Sequence, residues 1–373
     1  MATSHLTQKL KIGFVLDDGL DKPDGVQQYI LSLGEYYDSL GHEVHYLVGE
    51  TKRTDLKNVH SLSRNMKVIF NGNRMSMPLP TSSKKIKKLL SDEAFDVLHI
   101  QTPYSPFMGA KVISQAPERT ALISTFHIAP NSGLVNTGTK LLGHWLRPSL
   151  KKIDRMLSVS SAAQDFSRET FGFGSEVVPN PVDYKKFNTA LPLKEYSDNK
   201  LTILYLGRLV PRKGALILLK ALAELKNVQG LPKYRVVMCG KGPMLTQVEA
   251  FIDENGLGEM VELAGFVSEE MKPRYYASAD IAVFPSTGGE SFGIVLTEAM
   301  ATGKAVVLGG DNAGYRSVLG VRPELLFDTS SPSQLAILLE VYLKNEAKRK
   351  DAIKWGKKYS EQFDTATVGT RLL

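Results

Sequence analysis

The sequence predicts an α/β protein built as two domains, and three observations carry that expectation. A chain of 373 residues is long for a single hydrophobic core. Short apolar runs of strand character alternate with stretches of helical period from Lys11 onward. The same alternation restarts at Leu201, after a stretch with two prolines and the polar run 194–200, although no sequence repeat links the halves. These signals place a first domain at 1–187 and a second at 188–354, with 355–373 crossing back to the first.

Composition narrows the class. With 43% apolar and 23% charged residues the chain has the make-up of a globular protein, not a disordered one. No apolar run approaches the roughly 18–20 residues of a spanning helix. The start, MATSHLTQKLK, lacks an apolar signal core, which predicts a protein that stays inside the cell. The single Cys239 excludes an intrachain disulfide and a cysteine metal cluster, and its place at a strand end suits a small apolar residue. The formal charge of +7 is uneven, since residues 51–152 hold 16 Lys/Arg against 5 Asp/Glu. Such a basic surface attracts nucleic acid or anionic lipid; no nucleic-acid motif accompanies it, so an anionic membrane is the expected partner.

In the first half, Lys11–Leu16 reads as a buried strand, Val26–Leu40 as a helix ending at Gly41, and His42–Val48 as a second strand. Ligands of such β-α-β units lie at the carboxyl ends of the strands. Gly25 would let the backbone approach a phosphate, and a plain helix entry is an equally good reading of that glycine alone. Residues 51–80 are polar and turn-rich, with a short strand at Met66–Phe70. Ser82 or Ser83 caps a helix over Lys84–Leu90, whose Lys84, Lys85, Lys87 and Lys88 have the pattern of a solvated face. Strand Val97–Gln101, a helix around Phe107–Gln115 and strand Ala121–Thr125 follow. The last of these leads to His127 at the carboxyl edge of the sheet, where a structural histidine and a ligand-facing one are both open readings. Leu141–Ile153, with Trp145, Arg147, Lys151 and Lys152, suits an interfacial helix or a core-packed one. Strand Met156–Val159 and helix Ala162–Phe171 close this half.

In the second half, strand Leu201–Leu206 leads into Gly207-Arg208-Leu-Val-Pro-Arg-Lys213-Gly214 and a helix to about Leu225. Arg208 and Lys213 at a strand's carboxyl end can grip a diphosphate from two sides. Strand Tyr234–Cys239, the run Val261–Val267 and a helix near Glu269–Ser278 come next. Strand Asp280–Phe284 then enters the stretch 285–307, where Gly288-Gly289 turns the backbone and Ser291 is a good N-cap for a helix stopping at Gly303. The N–H groups of Phe292, Gly293 and Ile294 would then point out of the helix N-terminus, where the macrodipole favours an anion such as a diphosphate. Glu290 precedes this helix and Glu298 lies within it, about 12 Å further along the rise. That spacing suits two tasks, a turn carboxylate accepting sugar hydroxyls and an inner one accepting the hydroxyls of a ribose. Either glutamate alone reads equally as a capping or solvated acid. Ala305–Leu308, Leu325–Phe327 and a helix at Pro332–Leu343 complete the domain.

Taken together, GR-x4-KG at 207–214 and GGE-S-F-G-x4-E-A-M-A-x-G at 288–303 resemble the signature of family 4 of the retaining glycosyltransferases, the GT-B type. PDGVQ at 23–27, FDVLHIQ at 95–101, TFH at 125–127 and LRP at 146–148 extend the resemblance over nearly the whole chain, in detail toward the family's phosphatidyl-myo-inositol mannosyltransferases. The resemblance implies two Rossmann-like domains facing across a cleft, the nucleotide held mainly by the second, and no metal or cofactor. It implies that Gly25 lends its N–H to the diphosphate, Arg208 and Lys213 neutralise the leaving group, His127 meets the donor sugar, and Glu290 takes its hydroxyls. Glu298 would hold the ribose, Val267 and Lys272 would lie at the nucleotide end, Ser291 to Ile294 would line the donor site, and Gln27 would face the acceptor.

The implied reaction moves mannose from GDP-mannose to a lipid such as phosphatidylinositol, with retention, on the inner face of the plasma membrane. A diphosphate oxygen takes the acceptor's proton, so stabilising departing charge matters more than a protein base. Three departures fall mostly on the acceptor side. Asp24 stands where those relatives have glycine, a position where aspartate tolerates left-handed backbone and can reach an acceptor hydroxyl. The loop Ile-Ala-Pro-Asn-Ser-Gly after His127 lacks a basic residue, and the first loop near Asp18 lacks an aromatic one. Hexosyl transfer is therefore the firmer expectation. The alternatives are a UDP-hexose transferase acting on diacylglycerol, a polyprenyl-linked glycan or a soluble acceptor, and a non-catalytic protein that binds nucleotide-sugar or docks on membranes.

Overall fold

The computed structural model describes residues 8–21, 24–70, 73–101, 103–128 and 137–373, with side chains at all of these but 67–70, 73–78 and 137–142. Pro23 and most of the loop after His127, at 129–136, lie outside the described residues. The chain divides into two compact units, one running to Asn180 and including Gly369–Leu373, the other spanning Pro181–Val368. The division falls ahead of the expected 187, and 355–368 stay with the second unit. The C-terminal segment is tied into the first unit by Tyr36 and Thr370, whose hydroxyls lie 2.8 Å apart, and by Arg371 on Glu176 at 2.7 Å.

Among the described residues each unit has one parallel sheet with helices. In the first the strand order is Val59–Ser61, Glu43–Val48, Lys11–Leu16, Val97–Ile100, Ala121–Phe126, Arg155–Ser158, Glu176–Val177. In the second it is Val261–Gly265, Tyr234–Cys239, Leu201–Leu206, Ile281–Phe284, Val306–Gly310, Leu326–Phe327. Both are doubly wound, the order running outward one way from the first strand and then reversing, so that a crevice opens at the carboxyl ends on either side of the reversal. In the first unit that point lies between Lys11–Leu16 and Val97–Ile100, and in the second between Leu201–Leu206 and Ile281–Phe284. The strands are near-continuous apolar runs because helices cover both faces; Phe14, Val15, Val236 and Val237 are wholly buried.

Most expected elements are present within a few residues, and several others, among them strand Val59–Ser61 and helix Ala313–Leu319, were not expected. The strand expected at Met66–Phe70 is one arm of a hairpin, Asn65–Phe70 antiparallel to Asn73–Pro78, apart from the main sheet. A helix at Leu245–Glu254 was not expected, because its buried stripe is sparse: Val248 and Ile252 alone. Another, Glu346–Ser360, buries Ala352, Gly356 and Ser360, small residues at helical spacing, with Met300 lying against Gly356.

The helix Ser83–Glu93 is capped by Ser82, buries Ile86 and Leu90, and leaves Lys84, Lys85, Lys87 and Lys88 exposed, the solvated face expected of it. In helix Thr137–Leu150 the core takes Leu146 and Leu150, packed with Phe126 and Phe171, while Trp145 is 64% exposed. The side chains of Leu141 and Leu142 lie outside the described residues. Cys239 is buried in its strand, and burial pushes its thiol up to about 12, the inert apolar role expected. No helix among the described residues is long and apolar enough to cross a membrane.

Candidate active site

The second unit gathers its charged residues where two loops meet. After strand Leu201–Leu206 the chain makes a 3-10 turn, Pro211–Lys213, and leaves it at Gly214 with φ +69°. A Cβ at Gly214 would stand 1.9 Å from the Pro285 carbonyl oxygen, so only glycine lets this loop lie against the one that follows strand Ile281–Phe284. The two loops are joined by Thr287 N–H to Arg212 O at 2.8 Å and Ser286 Oγ to the same oxygen at 3.0 Å.

This contact brings two cations to one atom. Arg212 Nη1 and Lys213 Nζ lie 2.7 and 2.8 Å from Glu290 Oε1, and Ser286 Oγ lies 2.7 Å from it, its one proton shared between this oxygen and Arg212 O. Burial pushes the Glu290 carboxyl up, but Lys213 and Arg212 outweigh it and hold the pKa below the ordinary value, so Glu290 is a carboxylate. Of the expected cations, Lys213 is therefore at Glu290. Arg208 is exposed and makes none of these contacts, its carbonyl accepting from Tyr205 Oη at 3.2 Å. Arg212 was passed over in the sequence, although it adjoins Lys213.

The helix after Glu290 begins later than expected. Gly289 makes the turn with φ +68°, but the N-cap is Gly293, at φ +107°, and the helix is Ile294–Ala301. Gly293 is held in that conformation beside Tyr315, whose Cδ1 would be 2.7 Å from a Cβ there. Ser291 is thus not the cap, and Phe292 and Gly293 precede the first turn instead of opening it. Phe292 is buried against Phe363, ring centroids 5.5 Å apart.

Glu298, on the buried face of this helix, belongs to a separate cluster. Lys272 Nζ lies 2.7 Å from Glu298 Oε1 and 2.7 Å from Glu269 Oε2, and Tyr276 Oη donates to Glu298 Oε2 at 3.2 Å. Burial disfavours the Lys272 ammonium, yet its two carboxylates prevail and keep it charged. Burial raises the Glu298 carboxyl above its ordinary range in spite of Lys272. Lys272 and Tyr276 fall one helical turn apart, a spacing that could have paired them with a buried acid. Val267, five residues before Lys272, is half-buried.

In the first unit the carboxyl edge is lined by buried polar groups. Asp17, directly after strand Lys11–Leu16, accepts from Ser105 Oγ and from the N–H groups of Met108 and Gly109 at 3.2 and 2.9 Å. It caps helix Met108–Gln115 and was not singled out in the sequence. His127 bonds through Nε2 to Gln101 Oε1 at 2.8 Å. Burial, and then His99, lower its pKa to about 3, so its imidazole is neutral. Gln27 is buried; its Nε2 donates to Gly19 O at 3.2 Å, while its Oε1 has no partner among the described residues. Gly25 opens helix Gly25–Ser39. Asp24, its N-cap, is extended at φ −84° and makes no side-chain capping bond, so no left-handed backbone is required of it. Away from this edge, His45, His60 and Glu93 also converge, but Lys11 Nζ lies 3.0 Å from both Glu43 and Glu93 and already supplies their cation.

Comparison with known proteins gives the family and the fold. Residues 23–186 match the family model described as Glycosyltransferase Family 4, and residues 192–359 match that of Glycosyl transferases group 1. The phosphatidyl-myo-inositol mannosyltransferase of Mycobacterium tuberculosis is 32% identical over 98% of this chain and 96% of its own length. That of Mycolicibacterium smegmatis is 33% identical over 83% of this chain and 78% of its own. Among solved structures, Anabaena HepE in complex with UDP superposes with a TM-score of 0.78 at 19% identity, covering 97% of this chain and 98% of that one. A glycosyltransferase from Rickettsia africae gives 0.77 at 17% identity, with 98% and 97% covered. The chain shares the GT-B fold of these structures and is an enzyme of glycosyltransferase family 4.

Proposed function

We propose that this glycosyltransferase moves mannose from GDP-mannose to a membrane lipid, with phosphatidylinositol as acceptor, and retains the configuration of the sugar. The observation that carries the reading is the near full-length likeness to phosphatidyl-myo-inositol mannosyltransferases at 32% identity. Geometry supports it. The Lys213 ammonium and Arg212 guanidinium, near the turn at Gly289, would take up the charge of a departing diphosphate, with Arg208 reaching it from solvent. Glu290, kept ionised, accepts sugar hydroxyls through its second oxygen, and Glu298 with Lys272 serves the ribose and base end beside Val267. Gly25 lends its N–H to the diphosphate, His127 meets the sugar, and Gln27 Oε1 accepts from the acceptor, with Asp24 nearby in sequence. Ser291 to Ile294 line the donor. No metal enters the reading, because these cations supply the positive charge. The enzyme works on the inner face of the plasma membrane, held by the basic surface of the first unit.

A thermal-shift screen against GDP, UDP, ADP, GDP-mannose and UDP-glucose tests the donor, since a ligand bound by the native state alone raises Tm. Stabilisation by GDP and GDP-mannose, followed by EDTA-insensitive transfer of labelled mannose to phosphatidylinositol vesicles, is the expected result. Stabilisation by the uridine compounds alone would overturn the donor, and transfer to another lipid alone would overturn the acceptor.

A further inference from the structure

The polar chain at the carboxyl edge of the first sheet settles more than the position of His127. Gln101 is wholly buried, and its backbone N–H extends the sheet by donating to Val15 O at 2.9 Å. Its side-chain nitrogen donates to the His99 carbonyl oxygen at 3.1 Å, which orients the amide and turns Oε1 toward His127 Nε2. An amide oxygen has no proton to give, so Nε2 of His127 carries the hydrogen. In a neutral imidazole the lone pair then falls on Nδ1.

We infer that Gln101 is a positioning residue which holds His127 as the Nε2–H tautomer, so that Nδ1 meets the donor sugar as the acceptor of a hydroxyl proton. This rests on the reading of His127 as a sugar contact. Among the described residues, the titratable groups around the ring are few. Tyr29, on helix Gly25–Ser39, lies edge-on with ring centroids 4.9 Å apart. His99, on the neighbouring strand, is itself tied through Nε2 to Thr125 Oγ1 at 2.8 Å and is held neutral by burial and by Arg155. Among the described residues no carboxylate bonds the His127 ring, and its partners there, Gln101 and Tyr29, do not favour the imidazolium. An acidic residue at 101 would change that, because a carboxylate against Nε2 favours the charged ring. Protonation would place a hydrogen on Nδ1 and abolish it as an acceptor.

The test uses the full chain with ¹⁵N-labelled histidine. Long-range ¹H–¹⁵N spectra should show His127 protonated at Nε2, unprotonated at Nδ1 and untitrated from pH 8 to 5. Gln101→Leu should show both tautomers. In Gln101→Glu the ring should titrate near neutral pH, and kcat for mannosyl transfer from GDP-mannose to phosphatidylinositol vesicles should fall about tenfold per pH unit below that pKa and recover above it. Adding GDP-mannose to the native enzyme should shift the Nδ1 resonance. A proton found on Nδ1, or one tautomer persisting in Gln101→Leu, overturns the role of Gln101. The expected tautomers with no acid limb in Gln101→Glu and no Nδ1 shift overturn the sugar contact, and with it that part of the functional reading, while the hydrogen bond stands.

Discussion

Lys272 Nζ and Glu298 Oε1 lie 2.7 Å apart with side chains 8% and 4% exposed, a buried ion pair linking the helix that begins at Lys272 to the helix that carries Glu298. Removing one partner strands the other charge out of water. Lys272→Met should therefore cost about 3–5 kcal/mol, and Lys272→Met with Glu298→Leu should recover much of the loss. The two tryptophans fall one in each unit, so denaturant unfolding of a Trp145→Phe background, followed by Trp355 fluorescence, reports on the second unit. Equal destabilisation of the single and double variants would contradict the pair's role.

Glu290 provides a pH test whose sign follows from its depressed pKa. In the folded state its carboxyl titrates below the ordinary 4.5, so its stabilising effect is present above that value and is lost as pH falls through the folded value. The Tm difference between the native protein and Glu290→Gln should be constant from pH 7 to 5 and shrink below about 4.5. A difference that grows on acidification would reverse the assignment.

Arg212 and Lys213 share Glu290 Oε1, and their effects should not add. Lys213→Ala should lower kcat by about 10²-fold, with Arg212→Ala a smaller loss, and the double variant should fall short of the product. Steady-state transfer assays on the three variants decide it. An inert Arg212→Ala would leave Arg208 as the second cation.

Gly214→Ala forces a side chain onto the Pro285 carbonyl at a left-handed backbone position. We expect a loss of about 1–3 kcal/mol, measured as above, together with activity, because the same contact presents Arg212 and Lys213 to Glu290. A variant of unchanged stability would contradict the strain at Gly214, and one of unchanged activity would contradict its part in presenting the cations.

The lysines of helix Ser83–Glu93 point outward while Ile86 and Leu90 are spent on the core, so any membrane contact of this helix is electrostatic. Changing Lys84, Lys85, Lys87 and Lys88 to Gln should weaken binding to anionic vesicles by about 1 kcal/mol per residue and flatten its salt dependence. Co-sedimentation unchanged by the substitutions would remove this helix from the membrane-binding surface.

By itself the sequence determined the alternation of strands and helices in both halves, the strand ends where ligands collect, the presence of Glu290, Lys213 and His127 after those ends, and Glu298 within the helix that follows Glu290. These are local properties, since hydrophobic period and glycine turns are written within a dozen residues. What tertiary structure decided is which charges meet. Arg212 and Glu290 are 78 positions apart and are joined because strands Leu201–Leu206 and Ile281–Phe284 are neighbours, which brings their following loops together at Gly214. The glycine that caps the late helix at Ile294 packs where a side chain would meet Tyr315, and the tautomer of His127 rests on an amide 26 positions away. Each needs a partner supplied by the packing of distant segments, and periodicity along the chain carries no record of it.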